Sequence, residues 1–451
     1  MRGEVEHRSN DGKETSVGGL SGLLSSVISA GRDILARRRQ TALEAPSSDL
    51  LAKSKQLIHH RGEASGLALA CEVVTDYQAL DYSNRRLFFE ALADEFSADK
   101  SAVLEAVNSY RLDPTEANLA ALSRAAEAPR IRLFRRMNMA PEATPVLVKM
   151  RGEMLQASDD LPQLKAIETD LKHQFISWFN RGFLELRVID WNTPASILER
   201  IIQYESVHAI QGWDDLRARL SGNRMCFAFF HPAMPDDPLV FVEVALTEGV
   251  PDAIAPLIDQ TKDDEFGSTP DTVVFYSISN CHPGLAGVSF GNFLIKQVVE
   301  EVGKRYSTMK RYVTLSPIPG FCRWLATRET SIDLEEMRSM AKTDKAKAGD
   351  FRDRFQASVR RDDLLSACAR YLVEERRDNL ALDPVARFHL GNGASLHAIH
   401  WAADLSDKGL EQSAGLMVNY LYDLRSIEEN HDSYFDQGEI ATSRDVARLL
   451  N

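Results

Sequence analysis

The chain lacks an excess of positive charge. Lysine and arginine number 53 against 66 aspartate and glutamate residues, a formal net charge of −13 over 451 residues. A protein that grips nucleic acid regardless of sequence needs a net basic footprint, so no nucleic-acid partner is expected. No stretch approaches about 18 consecutive apolar residues, so neither a membrane-crossing helix nor a membrane partner is predicted. Cysteine is scarce and scattered. Cys71, Cys226, Cys281, Cys322 and Cys368 show no Cys-x-x-Cys spacing, which argues against a disulfide framework and a cysteine-rich zinc site. Residues Met1 to His7 are charged, without the apolar core of a secretory signal, and Arg448-Leu-Leu-Asn451 is not a peroxisomal Ser-Lys-Leu address. The expectation is a reduced, cytoplasmic, acidic protein.

What is present divides in two. Hydrophobic residues make up 44% and charged residues 26%, the balance of an ordinary globular chain with enough length for two to three domains. Residues 1–45 read as a flexible N-terminal segment, with a weakly helical pattern from Leu20 to Arg39. No proline falls between Pro46 and Pro114, and Leu80, Leu87, Phe88, Leu92 and Phe96 recur at helical spacing. Asp113-Pro114-Thr115 and Ala140-Pro141-Glu142 look like helix starts. Residues 46–180 therefore predict an all-α interaction domain. After Trp191 the grammar changes. Met225–Phe230, Leu239–Leu246, Thr272–Ser277 and Tyr312–Leu315 are short β-branched or aromatic runs bounded by turn residues, the mark of strands. Helices are expected from Gly287 to about Arg305 and around Gly409–Leu424, and a charge-rich helical insertion over about 331–380. The fold class is α+β, with residues 181–451 forming a mixed-sheet domain.

The most informative stretch is Ser277-Ile-Ser-Asn-Cys-His-Pro-Gly-Leu-Ala-Gly-Val-Ser-Phe-Gly-Asn292. A strand ends, and Gly284, Gly287 and Gly291 follow across a turn into a helix. Glycines permit close backbone approach, and free N–H groups at such a turn bind phosphate oxygens. The spacing is not Gly-x-Gly-x-x-Gly, so a dinucleotide fold fits poorly, while a pyrophosphate loop of the acyl-CoA type fits. A plain strand–turn–helix fits the same residues.

Four motifs carry a family resemblance. Val288-Ser-Phe-Gly-Asn-Phe-Leu-Ile-Lys-Gln-Val-Val-Glu300, Leu315-Ser-Pro-Ile-Pro-Gly-Phe321, Ala386-Arg-Phe-His-Leu-Gly-Asn-Gly-Ala394 and Gly415-Leu-Met-Val-Asn-Tyr420 together resemble malonyl-CoA decarboxylase, from about residue 70 onward. The resemblance implies a helical oligomerisation domain, giving a dimer or tetramer, and a catalytic domain like the GCN5-related N-acetyltransferase fold. It implies conversion of malonyl-CoA to acetyl-CoA and carbon dioxide without metal or organic cofactor, coenzyme A being part of the substrate. It places a catalytic serine at Ser316 and a catalytic histidine at His389. The coenzyme-binding turn falls on Ala286, Gly287, Val288, Ser289, Phe290, Gly291 and Asn292.

The chemistry needs few residues. Loss of carbon dioxide leaves an enolate on the thioester, so the protein must orient the carboxylate, stabilise the oxyanion and deliver one proton to C2. Histidine suits proton delivery, and a serine hydroxyl can accept and donate at once. Glu205, His208, Asn280 and His282 are second-tier candidates. His397-Ala-Ile-His400 lacks the glutamate of a His-Glu-x-x-His metal motif. Lys296, Lys304, Arg305, Lys310 and Arg311 are candidates for steering a polyanionic coenzyme. An acyl-CoA-dependent N-acyltransferase and a non-catalytic acyl-CoA sensor are the alternatives on the same fold.

Overall fold

The structure, a computed structural model, describes residues 17–36, 46–258, 269–288, 293–328 and 361–451. It forms two compact units: Met1–Trp178 with His282–Val288, and Phe179–Cys281 with Ser289–Asn451.

The first unit is helical. Polar residues start several of its helices, because their side chains satisfy amide groups that the first turn leaves open. Asp81 accepts from the Asn84 N–H at 2.8 Å before helix Tyr82–Asp94. Asp99 does the same for Lys100–Leu112, and Thr115 for Glu116–Ala126. Helix Ala143–Ala157 begins after Glu142, whose φ is +58°. The core gathers Leu69, Val73, Phe88, Leu92, Phe134, Leu147, Leu171 and Phe175, all fully buried. Leu80 and Phe96 are buried as their spacing predicts, but Leu87 is exposed; it precedes Phe88 in the helix and faces away from the packed side.

The second unit is built on a mixed sheet. Its strands are β1 (Glu185–Ile189), β2 (Arg224–Phe230), β3 (Val240–Thr247), β4 (Thr272–Asn280), β5 (Arg311–Thr314), β6 (Arg376–Arg377), β7 (Leu380–Ala381), β8 (Ser395–His400) and β9 (Met417–Leu421). Among the described residues, seven of them order as β1-β2-β3-β4-β5-β9-β8, and β6 pairs only with β7. Every pairing in the larger sheet is antiparallel except β4 with β5. A parallel pair needs a crossover, and helix Phe293–Arg305 lies in it. β4 carries a bulge at Tyr276, opposite Glu243/Val244 of β3.

The expected helix around Gly409–Leu424 is a shorter helix, Asp407–Ser413, followed by β9. Ala414 and Gly415 both have positive φ, which ends the helix and frees the β-branched and aromatic residues beyond to pair as a strand. Of the charge-rich 331–380 segment, residues 331–360 lie outside the described residues. The remainder is helix Arg361–Val373 and the β6–β7 pair.

Candidate active site

β5 ends at Thr314, and its chain continues alongside β9. Ser316 donates its N–H to Val418 O at 2.8 Å and accepts from Val418 N at 2.9 Å. Pro317 then supplies no amide, so pairing stops there and the chain turns away. Ser316 is thus fixed by sheet hydrogen bonds and is 5% exposed.

His389 lies in the last turn of helix Pro384–Gly391. The chain turns just after this helix, at Gly393. Gly393 has φ +81°, and a Cβ there would lie 2.0 Å from Ile427 O. At the other end Asp383 caps the helix, its Oδ1 accepting from Val385 and Ala386 N–H at 2.9 and 3.0 Å. Asp383 Oδ2 accepts from Gly320 N–H at 3.4 Å and Tyr371 OH at 3.3 Å. One buried carboxylate therefore ties the helix of His389 to the loop that follows Ser316.

The two residues meet. Ser316 Oγ stands 3.2 Å from His389 Nε2 across 73 positions of sequence. Ser316 Oγ donates to Thr314 Oγ1 at 2.8 Å, and Thr314 Oγ1 also accepts from Tyr420 N–H at 3.2 Å. With the serine proton committed to Thr314, Ser316 is the acceptor, so His389 carries its proton on Nε2. Nδ1 is then a bare lone pair, and Tyr422 OH, 2.8 Å away, donates to it. The imidazole also stacks on Tyr420, with centroids 4.7 Å apart and planes at 24°. Burial alone pushes the His389 pKa down from 6.5 to about 3, so the ring is neutral at physiological pH. The arrangement is a buried hydroxyl–imidazole–hydroxyl chain that can accept or release one proton at a fixed position.

Glu205 and His208 belong to a different cluster in this unit. Glu205 Oε1 accepts from Val207 and His208 N–H at 2.7 and 2.8 Å, and Oε2 accepts from Ser277 OH at 2.7 Å and Ser279 OH at 3.2 Å. Among the described residues His208 Nε2 is buried without a hydrogen-bond partner, and burial lowers its pKa to about 4. Neither residue is hydrogen-bonded to Ser316 or His389. Asn280 is at the exposed end of β4. His282, Ala286, Gly287 and Val288 are in the first unit's 282–288 segment. Ser289, Phe290, Gly291 and Asn292 lie outside the described residues. Lys296 pairs with Glu428, Arg305 with Glu301 at 2.9 Å, and Arg311 with Asp271, so these expected steering charges are largely matched by carboxylates. His400 Nε2 is hydrogen-bonded to Asn419 Oδ1.

Thr314, Tyr420, Tyr422 and Asp383 were missed in the sequence. The available signal was Tyr420-x-Tyr422, a period of two that aims both rings from one side of an extended segment.

Comparison with known proteins gives these contacts a context. A family model described as the malonyl-CoA decarboxylase C-terminal domain matches residues 182–451. One described as the N-terminal domain matches residues 96–179. The mitochondrial malonyl-CoA decarboxylase of Anser anser anser is 32% identical over 421 residues, 85% of this chain and 83% of the relative. That of Rattus norvegicus is 34% identical over 72% of each chain. Crystal structures of malonyl-CoA decarboxylase from Rhodopseudomonas palustris and Agrobacterium vitis superpose with TM-scores of 0.82 and 0.81. They are 46% and 45% identical, cover 90% and 89% of this chain, and are themselves covered completely. These relatives define an enzyme of the carboxy-lyase class. Within that class the chain belongs to the malonyl-CoA decarboxylase family.

Proposed function

We propose that the buried Ser316–His389–Tyr422 chain handles the proton in the reaction by which this enzyme converts malonyl-CoA to acetyl-CoA and carbon dioxide. The observation that carries this reading is the 3.2 Å Ser316 Oγ–His389 Nε2 contact, with the second ring nitrogen held by Tyr422. The balance of the reaction is one carboxylate and one proton in, carbon dioxide and one new C–H bond out. In the free enzyme His389 is neutral, because burial disfavours its charged form and no anion among the described residues compensates. The malonyl carboxylate supplies the missing negative charge and so favours an imidazolium. Tyr422 OH can then turn from donor to acceptor for Nδ1–H, which keeps the ring satisfied in both states. As the C–C bond breaks, its electron pair moves into the enolate, and the Nε2 proton passes to C2. Ser316 holds the Nε2–H direction until the enolate replaces it as acceptor. The thioester is itself the electron sink, so in this reading no metal or organic cofactor takes part.

We read the second unit as a relative of the GCN5-related N-acetyltransferase fold, supported by its one parallel pair amid antiparallel strands and the helix crossing between them. In this reading residues 286–292 form the coenzyme-binding turn. Support comes from Gly287, whose φ is +70° and whose N–H meets no acceptor among the described residues. Residues 46–180 are the oligomerisation domain and 181–451 the catalytic domain. Five free cysteines are consistent with a reducing compartment, the cytoplasm in our reading.

The test is the kcat of Ser316→Ala, His389→Ala and the double variant. Each single change should lower kcat about 10²–10⁴-fold. The double variant should be little worse than the poorer single, because residues acting as a unit are not additive. Fully multiplicative losses would break the unit, and near-normal turnover in His389→Ala would remove that residue from the chemistry.

A further inference from the structure

Helices Ala143–Ala157 and Leu164–Trp178 of the first unit surround the 282–288 segment closely. A Cβ on Gly284 would lie 1.8 Å from Val148 O, and one on Gly152 would lie 3.3 Å from Gly284 N. Glycine at position 284 is what lets the two backbones touch, and a side chain at position 152 would crowd the same contact. Into this contact Arg151, nearly fully buried, directs Nη1 at Gly284 O (2.6 Å) and Ala286 O (2.9 Å). Its Nε and Nη2 bond Glu168 Oε2 at 3.1 and 2.8 Å.

That last pairing has an electrostatic consequence. Glu168 stands four residues before Lys172 on the same helix, the spacing at which a glutamate ordinarily pairs with a lysine. Arg151 has taken that carboxylate, and Lys172 forms no ion pair among the described residues. Its ammonium instead lies beside the turn: a Cβ on Gly287 would be 2.9 Å from Lys172 Nζ and 3.2 Å from its Cε. The same Arg151 fixes the Ala286 carbonyl, and in a trans peptide the Gly287 N–H points opposite to that carbonyl. This N–H also has no acceptor among the described residues. An uncompensated ammonium and an open amide thus sit together on a glycine whose φ of +70° a side chain would strain.

We propose that Lys172 of the helical unit binds a phosphate oxygen of the coenzyme beside Gly287. The inference rests on reading residues 286–292 as the coenzyme-binding turn, and it adds that the helical unit supplies a charged ligand to that turn. A charge-assisted contact of this kind helps the whole phosphate-bearing substrate to bind in ground and transition states alike, so it acts on KM and not on kcat.

Steady-state kinetics of Lys172→Ala and Lys172→Arg with malonyl-CoA and with malonyl-pantetheine, which has no diphosphate or nucleotide, decide the matter. Lys172→Ala should raise the malonyl-CoA KM about ten- to a hundredfold, leave kcat unchanged, and leave malonyl-pantetheine kinetics as in wild type. Lys172→Arg should recover most of the loss. An unchanged malonyl-CoA KM, or an equal rise for both substrates, would overturn the proposal. Gly291→Val separates the two readings. If it weakens coenzyme A binding while Lys172→Ala does not, the role of Lys172 alone is lost. If neither weakens it, the assignment of the turn is lost as well.

Discussion

At the scale of single residues, the site depends on hydroxyl groups that keep an uncharged imidazole satisfied. Tyr422→Phe keeps the ring and removes only the donor to His389 Nδ1. A buried nitrogen left without its partner costs about 1–3 kcal/mol, so the variant should be less stable by that amount in urea unfolding. It should also lose kcat while keeping its malonyl-CoA KM, because the missing support matters most when the ring is charged. A normal kcat would exclude Tyr422 from the proton chain. The pH dependence of stability follows from the same burial. His389 is depressed from 6.5 to about 3, so between those values the unfolded chain binds the extra proton. Stability from this group is complete above pH 6.5 and declines as pH falls toward 3, by about 1.4 kcal/mol per pH unit. Unfolding free energies measured across that range should fall less steeply for His389→Gln than for wild type, and parallel curves would contradict the assignment. Ser316 and His389 were legible only through the motifs that resemble the family, since a lone serine before a proline turn carries no chemistry in its spacing. Thr314 was not legible, because the register of β5 against β9 creates its contact with Tyr420, and no local pattern encodes that register. Tyr422 showed only as the second ring of Tyr420-x-Tyr422, a spacing that does not tell which helix brings His389 to it.

Among elements, the central strands announced themselves and the outer ones did not. β2, β3 and β4 are almost entirely buried, so they read as continuous β-branched and aromatic runs. β1 and β8 are the two ends of the sheet order and mostly half-buried. Their mixed sequences, Glu-Leu-Arg-Val-Ile and Ser-Leu-His-Ala-Ile-His, carry no such signal. The buried acid of β3, Glu243, has its partner on helix Trp213–Arg219. Arg219 bonds Asp215 Oδ1 through Nε at 3.0 Å and Glu243 Oε2 of β3 through Nη1 at 3.0 Å, with all three groups buried. Removing the shared cation strands two acids in the interior. Arg219→Ala should therefore destabilise the protein by about 3–5 kcal/mol, as read by thermal or urea unfolding. Glu243→Gln should cost much less, because burial already pushes the Glu243 carboxyl up to about 8 and its neutral form is accessible near pH 7. Equal losses in the two variants would mean that packing, not charge, holds this layer.

For the molecule as a whole, the open question in the helical unit is what covers helices Lys100–Leu112 and Glu116–Ala126. Neither contains a buried residue, although Leu104 is 64%, Leu112 83% and Leu119 39% exposed. Isolated helices shorter than about 12–15 residues are marginal in water, and packing of an apolar face ordinarily secures them. The rest of the unit supplies that packing elsewhere, where Phe88, Phe134, Leu147 and Phe175 are fully buried. A second copy of the chain is the cover that fits our reading of residues 46–180 as the oligomerisation domain, since one exposed apolar face presented twice makes a self-complementary two-fold interface. The site argues that assembly and chemistry are separable, because Ser316, His389, Tyr422 and their partners Thr314, Tyr420 and Asp383 all come from the second unit. Sedimentation of wild type at micromolar concentration should show a dimer or tetramer. Leu104→Glu/Leu112→Glu should shift it toward the monomer, since a charge at the centre of an apolar contact must be desolvated without a partner. The far-ultraviolet spectrum should be retained. A wild-type monomer, or a variant of unchanged mass, would mean that these two helices face water and that the helical unit serves the substrate alone.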